Sequence, residues 1–270
     1  MSPLHPLGAA AVRRSDAAGV ATLTLDDPAS RNALSLAMIQ ALSDALVAVA
    51  EDAGVRAVVL AAEGPVFSSG HDLRELAAHR NDEDGGAAFY GRLMDACAQM
   101  MQAIVALPKP VIAAVEGVAT AAGCQLVATC DLAYAGAGAR FALPGVAIGL
   151  FCSTPLVAVA RAISRKHAMA MALGGALQSA DEAERCGLVN RVVAPGRAVA
   201  EAQAMAAELA GRSAAALAIG KRTFAQQAEL PLGEAYALAS QAMVDNLLHA
   251  DAGEGIAAFL EKRAPRWAQQ

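Results

Sequence analysis

The sequence contains few aromatic residues and little charge of either sign. Of its 270 residues, 4% are Phe, Trp or Tyr and 17% are charged, whereas 56% are hydrophobic. The net charge of −5 provides no basic excess for neutralising phosphates, which argues against a protein that binds nucleic acid. The apolar residues are mostly Ala, Val and Leu, a composition typical of a globular protein with closely packed helices and buried parallel strands.

Cysteine is scarce as well, and none of it forms a CxxC pair. An odd number of widely spaced cysteines argues against a disulfide framework and against a zinc site, so we expect no metal. Reduced thiols are typical of the cytoplasm, which is the location that this pattern predicts. The cysteines are Cys97, Cys124, Cys130, Cys152 and Cys186.

No uninterrupted apolar run is long enough to cross a bilayer. The best candidate is broken by Glu116, Gln125 and Asp131, whereas a spanning helix needs about 20 predominantly apolar residues. Residues 1–10 predict a loose leader, and the first residues lack the basic-then-apolar order of a signal peptide. We therefore expect a soluble protein without membrane contact.

The hydrophobic patterns predict alternating strands and helices up to about residue 195, followed by helices alone. Ser35 is placed to cap the first of these helices. This order is typical of an α/β class with a helical C-terminal region, which we delimit as 12–195 and 196–270. The predicted strands are Val20–Leu25, Val55–Ala61, Val111–Val115 and Leu188–Val193. The predicted helices include Phe89–Leu107 and three after the boundary, at 197–211, 213–229 and 232–263, the last broken near Gly253–Gly255.

Two glycine loops each lead from a buried apolar run into a helix. They are Phe67–His71, after the run that begins at Val55, and Val118–Gly123, after the run that begins at Val111. Each loop offers backbone N–H groups at a helix start, and two convergent donors stabilise an ester or thioester oxygen that gains charge by about 3 kcal/mol each. Strand–glycine–helix turns are also routine in α/β proteins, so a purely structural role is the alternative.

Several separated motifs resemble the crotonase (enoyl-CoA hydratase/isomerase) superfamily. They are FSSGHDLREL and AAVEGVATAAGCQLVATCDLAYA, supported in the expected order by RNALS, GLVNRVV and FLEKRAPRW, so the resemblance spans Val12 to Trp267. It implies an α/β fold, the crotonase-like (ββα)n superhelix, with a C-terminal helical trimerisation region. It also implies a homotrimer or a hexamer built as a dimer of trimers.

The resemblance also implies the roles of particular residues. The N–H of His71 and the N–H of Ala122, or that of Gly123, would form an oxyanion hole for the carbonyl of an acyl-CoA thioester, which is the ligand; no covalently bound cofactor is implied. The residues implied on the CoA path are Arg31, Ala33, Leu34, Ser69, Gly70, Asp72 and Leu73. Phe259 and Lys262 would approach the nucleotide of a neighbouring subunit. Without the resemblance, Arg31 and Lys262 read as solvated surface charges.

One departure from the family bears on the reaction. Gln125 and Gly145 stand where the hydratases of this family carry their two catalytic glutamates. Neither residue has a titratable proton, so the two-glutamate hydration mechanism is not available at these positions. The resemblance therefore leaves three hypotheses: an acyl-CoA enzyme of fatty-acid or carboxylate metabolism with other proton-transfer groups, such as an isomerase or thioesterase; a non-catalytic acyl-CoA-binding protein; or an oligomeric scaffold.

Other polar residues near these motifs are assigned structural roles. Glu116 is predicted to be a hydrogen-bond acceptor at a strand end. Ser153 or Thr154 is predicted to cap the helix that contains Pro155, although together with Cys152 they would alternatively face the acyl pocket. A single histidine without a visible partner is weak support for a catalytic base at position 71.

Overall fold

The computed structural model describes residues 11–268. The predicted leader, residues 1–10, lies outside this range. Within the described residues the chain forms ten strands and eleven α-helices. The strands are β1 (Val12–Ala17), β2 (Val20–Leu25), β3 (Ala57–Ala62), β4 (Val66–Ser68), β5 (Val111–Val115), β6 (Val118–Thr120), β7 (Leu132–Gly136), β8 (Arg140–Ala142), β9 (Gln178–Ser179) and β10 (Arg191–Val193).

The helices lie between these strands and then run alone to the C-terminus. They are α1 (Leu36–Glu51), α2 (Leu73–Ala78), α3 (Ala87–Ala106), α4 (Ala122–Thr129), α5 (Ser153–Ala162), α6 (Arg165–Gly174), α7 (Ala180–Cys186), α8 (Ala198–Ala210), α9 (Ala214–Gln227), α10 (Leu232–Leu248) and α11 (Ala250–Leu260). Ser35 caps α1, as predicted, by accepting a hydrogen bond from the Met38 N–H. No helix among residues 11–268 combines the length and the apolar character needed to span a membrane.

The larger sheet has six strands in the order β1-β2-β3-β5-β7-β10, and only the β1–β2 pair is antiparallel. Its central strands read as continuous apolar runs because both faces are covered. Val58 and Leu60 of β3 face the main hydrophobic core, whereas Ala57 and Val59 face a second core that includes the buried alanines of α8. Helices on both faces therefore hold β3 and β5 rigidly beneath the loops that follow them.

The smaller sheet lies in the order β4-β6-β8-β9. Its first three strands are parallel, and each follows a strand of the larger sheet after a short turn. The repeats β3-β4-α2 and β5-β6-α4 are the ββα units that the resemblance implied. Because parallel strands present their C-terminal ends at one edge, the loops after β4 and β6 lie side by side.

The C-terminal prediction is wrong in one detail. The helix predicted over 232–263 is two helices that break at His249, rather than near Gly253–Gly255. His249 is extended, with ψ 144°, and its ring accepts a hydrogen bond from the Asp251 N–H, which caps α11. Gly255 lies inside α11, and a Cβ at this position would come within 3.3 Å of the Trp267 ring.

The last strand is shorter than predicted. Only Arg191–Val193 pairs with β7. Leu188 and Val189 instead donate their backbone N–H groups to the Ala183 carbonyl, which terminates α7. The first apolar residues of this run therefore form hydrogen bonds at the end of a helix rather than within a β-sheet. A hydrophobic run alone does not distinguish these two cases.

Candidate functional site

The loops after β4 and β6 are in direct backbone contact. A Cβ placed on Gly70 would lie 3.1 Å from the Ala122 nitrogen and 2.9 Å from the Ala121 Cβ, and its φ of +85° itself favours glycine. A Cβ on Gly123 would come within 2.3 Å of the Ser68 carbonyl oxygen. Glycine at both positions is what lets the two loops approach, so the predicted donors are brought into one place.

The backbone N–H groups of His71 and Ala122 have no hydrogen-bond acceptor among residues 11–268. The neighbouring N–H groups are satisfied: Gly70 donates to the Ser68 hydroxyl at 3.3 Å, and Ala121 donates to the Ala142 carbonyl at 3.0 Å. Gly123 likewise lacks an acceptor, since α4 begins without a side-chain cap. The helix dipole adds partial positive charge at this end. The arrangement can hold a carbonyl oxygen or an oxyanion.

Ala121 immediately precedes α4 in a strained backbone conformation. Its φ is 49° and its ψ is −120°, a region that residues with a Cβ rarely occupy and that costs on the order of 1–3 kcal/mol. This ψ angle fixes the direction of the next peptide, which carries the Ala122 N–H. The strain at this residue was not predictable from the sequence, because an alanine gives no signal of positive φ.

The His71 imidazole is neutral and fixed in orientation. Its Nδ1–H donates to the Leu34 carbonyl at 3.0 Å, so Nε2 carries the lone pair. Burial lowers the pKa of His71, and the hydrogen bond to Leu34 only partly opposes this effect. The Nε2 atom is buried and has no partner. The side chain is therefore a hydrogen-bond acceptor that lacks a donor.

Gln125 is the second unsatisfied side chain of the site. The residue is only 5% exposed, and its Oε1 atom is buried without a partner. Among residues 11–268, His71 Nε2 and Gln125 Oε1 are the only buried side-chain nitrogen or oxygen atoms in this state. An unsatisfied buried acceptor costs about 1–3 kcal/mol. His71 lies on the loop after β4, and Gln125 lies on α4, three residues after Ala122.

A cavity of about 350 Å³ opens beside His71. Its lining residues are Ala29, Ser30, Arg31, Ala33, Ser69, His71, Asp72, Leu73 and Arg74. Leu34 and Gly70, also predicted on the CoA path, lie next to it and are joined by the Leu34 N–H, which donates to the Gly70 carbonyl at 2.8 Å. The structure thus brings together seven of the predicted CoA-path residues. Phe259 and Lys262, on and after α11, are not among the lining residues.

Asn32 holds this cavity wall in place, and sequence analysis gave it no role. Its fully buried amide donates to the carbonyls of Glu63 at 2.9 Å and Val66 at 2.7 Å, and its oxygen accepts from the Asp27 N–H at 2.9 Å. The backbone of Asn32 is left-handed, with φ 50°, which asparagine tolerates better than most residues. The asparagine in the RNALS motif was the available signal.

Gly145 lies in a short 3₁₀ helix, Pro144–Ile148, and its surroundings are tight. A Cβ here would lie 3.0 Å from both the Cys152 sulfur and the Leu150 carbonyl oxygen. A glutamate at this position therefore requires the loop that ends at Cys152 to shift. Burial raises the pKa of the Cys152 thiol, so it is held protonated.

The predicted cap at the start of α5 is wrong. The helix begins at Ser153, with Cys152 in the N-cap position and no side-chain hydrogen bond to the helix. The Ser153 hydroxyl instead lies 3.5 Å from the Phe151 carbonyl, because the residue is already inside the first turn. By contrast, Glu116 is an acceptor as predicted, binding the N–H groups of Gly196 and Ala198.

Other features of the site are apolar. A second cavity of about 370 Å³ is lined mainly by small or aliphatic residues and shares Arg31 and Ser69 with the first.

Among the described residues, no group of three or more His, Cys, Asp or Glu side chains could hold a metal ion.

The chain is built from repeating ββα units, and the adjacent loops of two of these units carry N–H groups without acceptors among residues 11–268. The sequence profile of the enoyl-CoA hydratase/isomerase family matches residues 15–270. The chain belongs to this family, and the predicted crotonase-like α/β fold is confirmed.

Individual relatives agree with this assignment. The mitochondrial enoyl-CoA hydratase domain-containing protein 3 of Rattus norvegicus is 46% identical over 92% of this chain and 81% of its own. The crystal structure of enoyl-CoA hydratase from Mycobacterium smegmatis superposes with a TM-score of 0.90 at 49% identity, covering 95% of this chain and 98% of that one. Human enoyl-CoA hydratase domain-containing protein 3 also superposes with a TM-score of 0.90, at 45% identity over 95% of this chain and 100% of that one.

These comparisons support a closer resemblance within the family and overturn one prediction. The segments around Gln125, Gly145 and the C-terminus resemble the enoyl-CoA hydratase domain-containing protein 3 branch, whose rat and human members are among these relatives. The predicted cytoplasmic location is wrong, because the rat relative and its human counterpart are named as mitochondrial. Unpaired cysteines indicate a reducing environment, and this property does not distinguish one reducing compartment from another.

Proposed function

We propose that this protein is an acyl-CoA enzyme that binds a CoA thioester and stabilises negative charge on its carbonyl oxygen. The observation that carries the proposal is the pair of unsatisfied backbone N–H groups at His71 and Ala122, on loops in backbone contact. Each preorganised donor in a water-poor site is worth about 3 kcal/mol towards a developing oxyanion. An enolate formed by loss of a proton next to the thioester carbonyl presents the same charged oxygen.

The surroundings of the two donors favour a charged oxygen. Ala122, Gly123 and Cys124 at the start of α4 are all buried. Water is therefore sparse, and the partial charge at the helix end acts in a medium of low dielectric constant. Backbone donors also tolerate side-chain replacement, so His71 and Ala122 can serve whatever their side chains are.

The cavity beside His71 is suited to the CoA arm. Arg31 and Arg74 line it and offer guanidinium groups for phosphate oxygens. Gly70 lets the loop that carries His71 approach Ala122 closely, and Leu73, which lines the cavity, is exposed. The residues proposed on the CoA path are Arg31, Ala33, Leu34, Ser69, Gly70, Asp72 and Leu73.

The reaction must proceed without the two glutamates of the family's hydratases. Gln125 and Gly145 have no titratable group, so isomerisation or thioester hydrolysis, which need one base or one activated water, fit the site better than two-glutamate hydration. The same two residues favour a second candidate function, the binding of acyl-CoA without turnover.

We include self-association in the proposal, as a homotrimer or hexamer. The C-terminal helices expose large apolar side chains, and contiguous apolar patches mark interaction surfaces. These side chains include Phe224, Leu232, Tyr236, Leu248, Phe259 and Leu260. Phe259, which is 83% exposed, and Lys262 would reach the nucleotide bound to a neighbouring subunit.

The test compares two CoA ligands that differ in one oxygen. Butyryl-CoA carries the thioester carbonyl, and S-butyl-CoA is the thioether without it; calorimetry measures both affinities. Two hydrogen bonds at about 0.5–1.5 kcal/mol each predict a Kd for butyryl-CoA that is roughly tenfold lower. Equal affinities would contradict the oxyanion hole, and no binding of either ligand would contradict acyl-CoA recognition.

Turnover then separates the two candidate functions. Steady-state assays with 2-enoyl-CoA substrates of several chain lengths should show hydration far slower than that of an authentic two-glutamate hydratase. Equal rates would show that another group replaces the glutamates. Thioester hydrolysis or double-bond isomerisation by the same sample would support the enzyme, and tight binding without any turnover would support the binding protein.

A further inference from the structure

The unpaired nitrogen of His71 belongs to a residue that lines a cavity. Among residues 11–268, the buried side-chain atoms without a hydrogen-bond partner are His71 Nε2 and Gln125 Oε1, and of these two residues His71 alone lines either of the cavities described above. A leucine or phenylalanine would fill this wall without leaving a costly unpaired acceptor. The nitrogen therefore indicates a hydrogen-bond donor on a ligand in this cavity.

The orientation of the imidazole is fixed from its other nitrogen. Nδ1–H donates to the Leu34 carbonyl at 3.0 Å, and the Leu34 N–H in turn donates to the Gly70 carbonyl at 2.8 Å. The two nitrogens of the ring point in different directions, so Nε2 faces away from Leu34. Because burial lowers the pKa of His71, the ring is neutral near pH 7 and Nε2 acts as an acceptor.

The other side chains of the cavity narrow the choice of donor. Arg31 and Arg74 line the same cavity and suit the phosphate oxygens of CoA. An ionised phosphate accepts hydrogen bonds and does not donate them, so it cannot pair with Nε2. The pantetheine arm between the phosphates and the thioester carries amide N–H groups and a hydroxyl, which do donate. The unpaired acceptor therefore selects this uncharged part of the ligand.

Covalent spacing selects the amide nearest the sulfur. In a CoA thioester, the carbonyl oxygen and the nitrogen of this amide are separated by the same number of covalent bonds as the backbone nitrogen of His71 and its own Nε2. The His71 N–H has no acceptor among residues 11–268 and is the proposed donor to the thioester oxygen. One residue can thus pair with both groups at once, whereas the other amide and the hydroxyl lie farther along the arm.

We propose that His71 is a specificity residue for thioesters whose thiol arm carries an amide N–H two carbons from the sulfur, as pantetheine does, and that Nε2 accepts this N–H. The inference rests on the proposed acyl-CoA binding and adds the part of the arm that the protein recognises. A site that hydrogen-bonds an N–H discriminates against the analogue without it, because the buried acceptor is then left unpaired.

The experiment measures the affinities of the full-length protein for two ligands by calorimetry. One is butyryl-CoA, and the other is its ester analogue, in which an oxygen replaces the nitrogen of the amide nearest the sulfur. The analogue keeps the thioester, the length of the arm and the nucleotide, but its ester oxygen cannot donate. We expect butyryl-CoA to bind about tenfold more tightly than the analogue.

Two variants assign this preference to the side chain of His71, and both keep its backbone N–H. His71→Asn places an amide where Nδ1 lies, so it can still donate to the Leu34 carbonyl, but it has no atom in the place of Nε2. Its affinities for the two ligands should agree within about twofold. His71→Gln extends an amide oxygen towards the place of Nε2 and should retain the preference. A purely structural role of His71 would weaken both ligands equally.

The outcomes separate this inference from the proposed function. Failure of butyryl-CoA to bind to the wild-type protein would overturn the proposed function itself. Equal affinity of the wild-type protein for both ligands, with butyryl-CoA still bound, would overturn only the inference and assign Nε2 to a water molecule. A preference for butyryl-CoA that survives in His71→Asn would also overturn it, because another acceptor then binds the amide.

Discussion

Buried polar side chains are hydrogen-bonded in the scaffold but have unpaired atoms in the site. In the scaffold, the buried Asp251 accepts hydrogen bonds from the Ser213 hydroxyl at 2.6 Å and from the Ala268 N–H at 2.8 Å, and the buried Asn32 makes three side-chain hydrogen bonds. In the site, His71 Nε2 and Gln125 Oε1 make none. Folding explains the first arrangement, because unsatisfied buried groups are costly. A ligand with a hydrogen-bond donor would supply the missing partner in the second.

The backbone shows the same contrast. Ala121 is strained in front of two N–H groups that nothing within residues 11–268 accepts. Strands β3 and β5, beneath the site, pair throughout with their neighbours and are buried on both faces. A rigid sheet therefore supports loops that remain unsatisfied until a ligand arrives, as expected of a preorganised site.

The largest expected effect is the loss of stability when Asn32, a residue of the scaffold, is replaced. Asn32→Ala leaves the carbonyls of Glu63 and Val66 and the Asp27 N–H without their partner, and we expect a loss of about 3–5 kcal/mol in the free energy of unfolding. Urea denaturation measures it. Asn81→Ala, at an exposed asparagine, is the matched control and should change stability by less than about 0.5 kcal/mol. Similar effects for both variants would contradict the role of Asn32.

The second prediction removes the cation of Lys221, which pairs with Asp131 in the scaffold. Lys221 is 11% exposed in its side chain and donates to Asp131 and to the carbonyls of Ile104 and Lys109. Burial raises the pKa of Asp131, and Lys221 opposes that rise. Lys221→Met should therefore cost about 2–4 kcal/mol of unfolding free energy at pH 7. Adding Asp131→Asn should recover part of the loss, and no recovery would place the cost elsewhere.

The third prediction compares site and scaffold by restoring the two glutamates that the site lacks. Gln125→Glu combined with Gly145→Glu should raise the rate of crotonyl-CoA hydration. The close contacts of Gly145 with Leu150 and Cys152 predict a loss of about 1–3 kcal/mol in stability. Gly145→Ala isolates this steric cost. A folded double mutant that binds acyl-CoA and gains no hydration would contradict the placement of these residues opposite the substrate.

The smallest expected effect is the dependence of stability on pH that His71 causes. The pKa of His71 in the folded protein lies below its ordinary value of 6.5, so the unfolded chain binds more protons as the pH falls below 6.5. Stability should therefore decline from pH 6.5 downwards. His71→Asn keeps a donor for the Leu34 carbonyl but does not titrate, so its decline should be shallower. Thermal unfolding between pH 7 and 5 compares the two proteins, and parallel curves would contradict the neutral buried imidazole.

Much of the fold followed from the sequence because the patterns were local. The apolar run Val111–Val115 is a strand with the predicted bounds, and the helix after it begins at Ala122 as expected. The break at His249 was not predictable in the same way, since it depends on a histidine that caps α11 through its own ring.

The sequence grouped residues that lie together in the fold, but it did not contain their hydrogen-bonding state. Residues of separated motifs, such as Arg31 and Asp72, line one cavity. Whether a histidine or glutamine side chain is satisfied depends on every neighbour in three dimensions, which spacing along the chain does not contain. The role of Asn32 and the strain at Ala121 are tertiary in the same sense.

The most direct test of this account observes the His71 backbone amide during ligand binding. Selective labelling with ¹⁵N-histidine gives a spectrum restricted to the 5 histidines, and the same sample reports the protonation of the His71 ring. Addition of butyryl-CoA should shift the His71 amide proton strongly downfield, and S-butyl-CoA should not. The same response to both ligands, or none to either at saturation, would contradict the claim that this N–H holds the thioester oxygen.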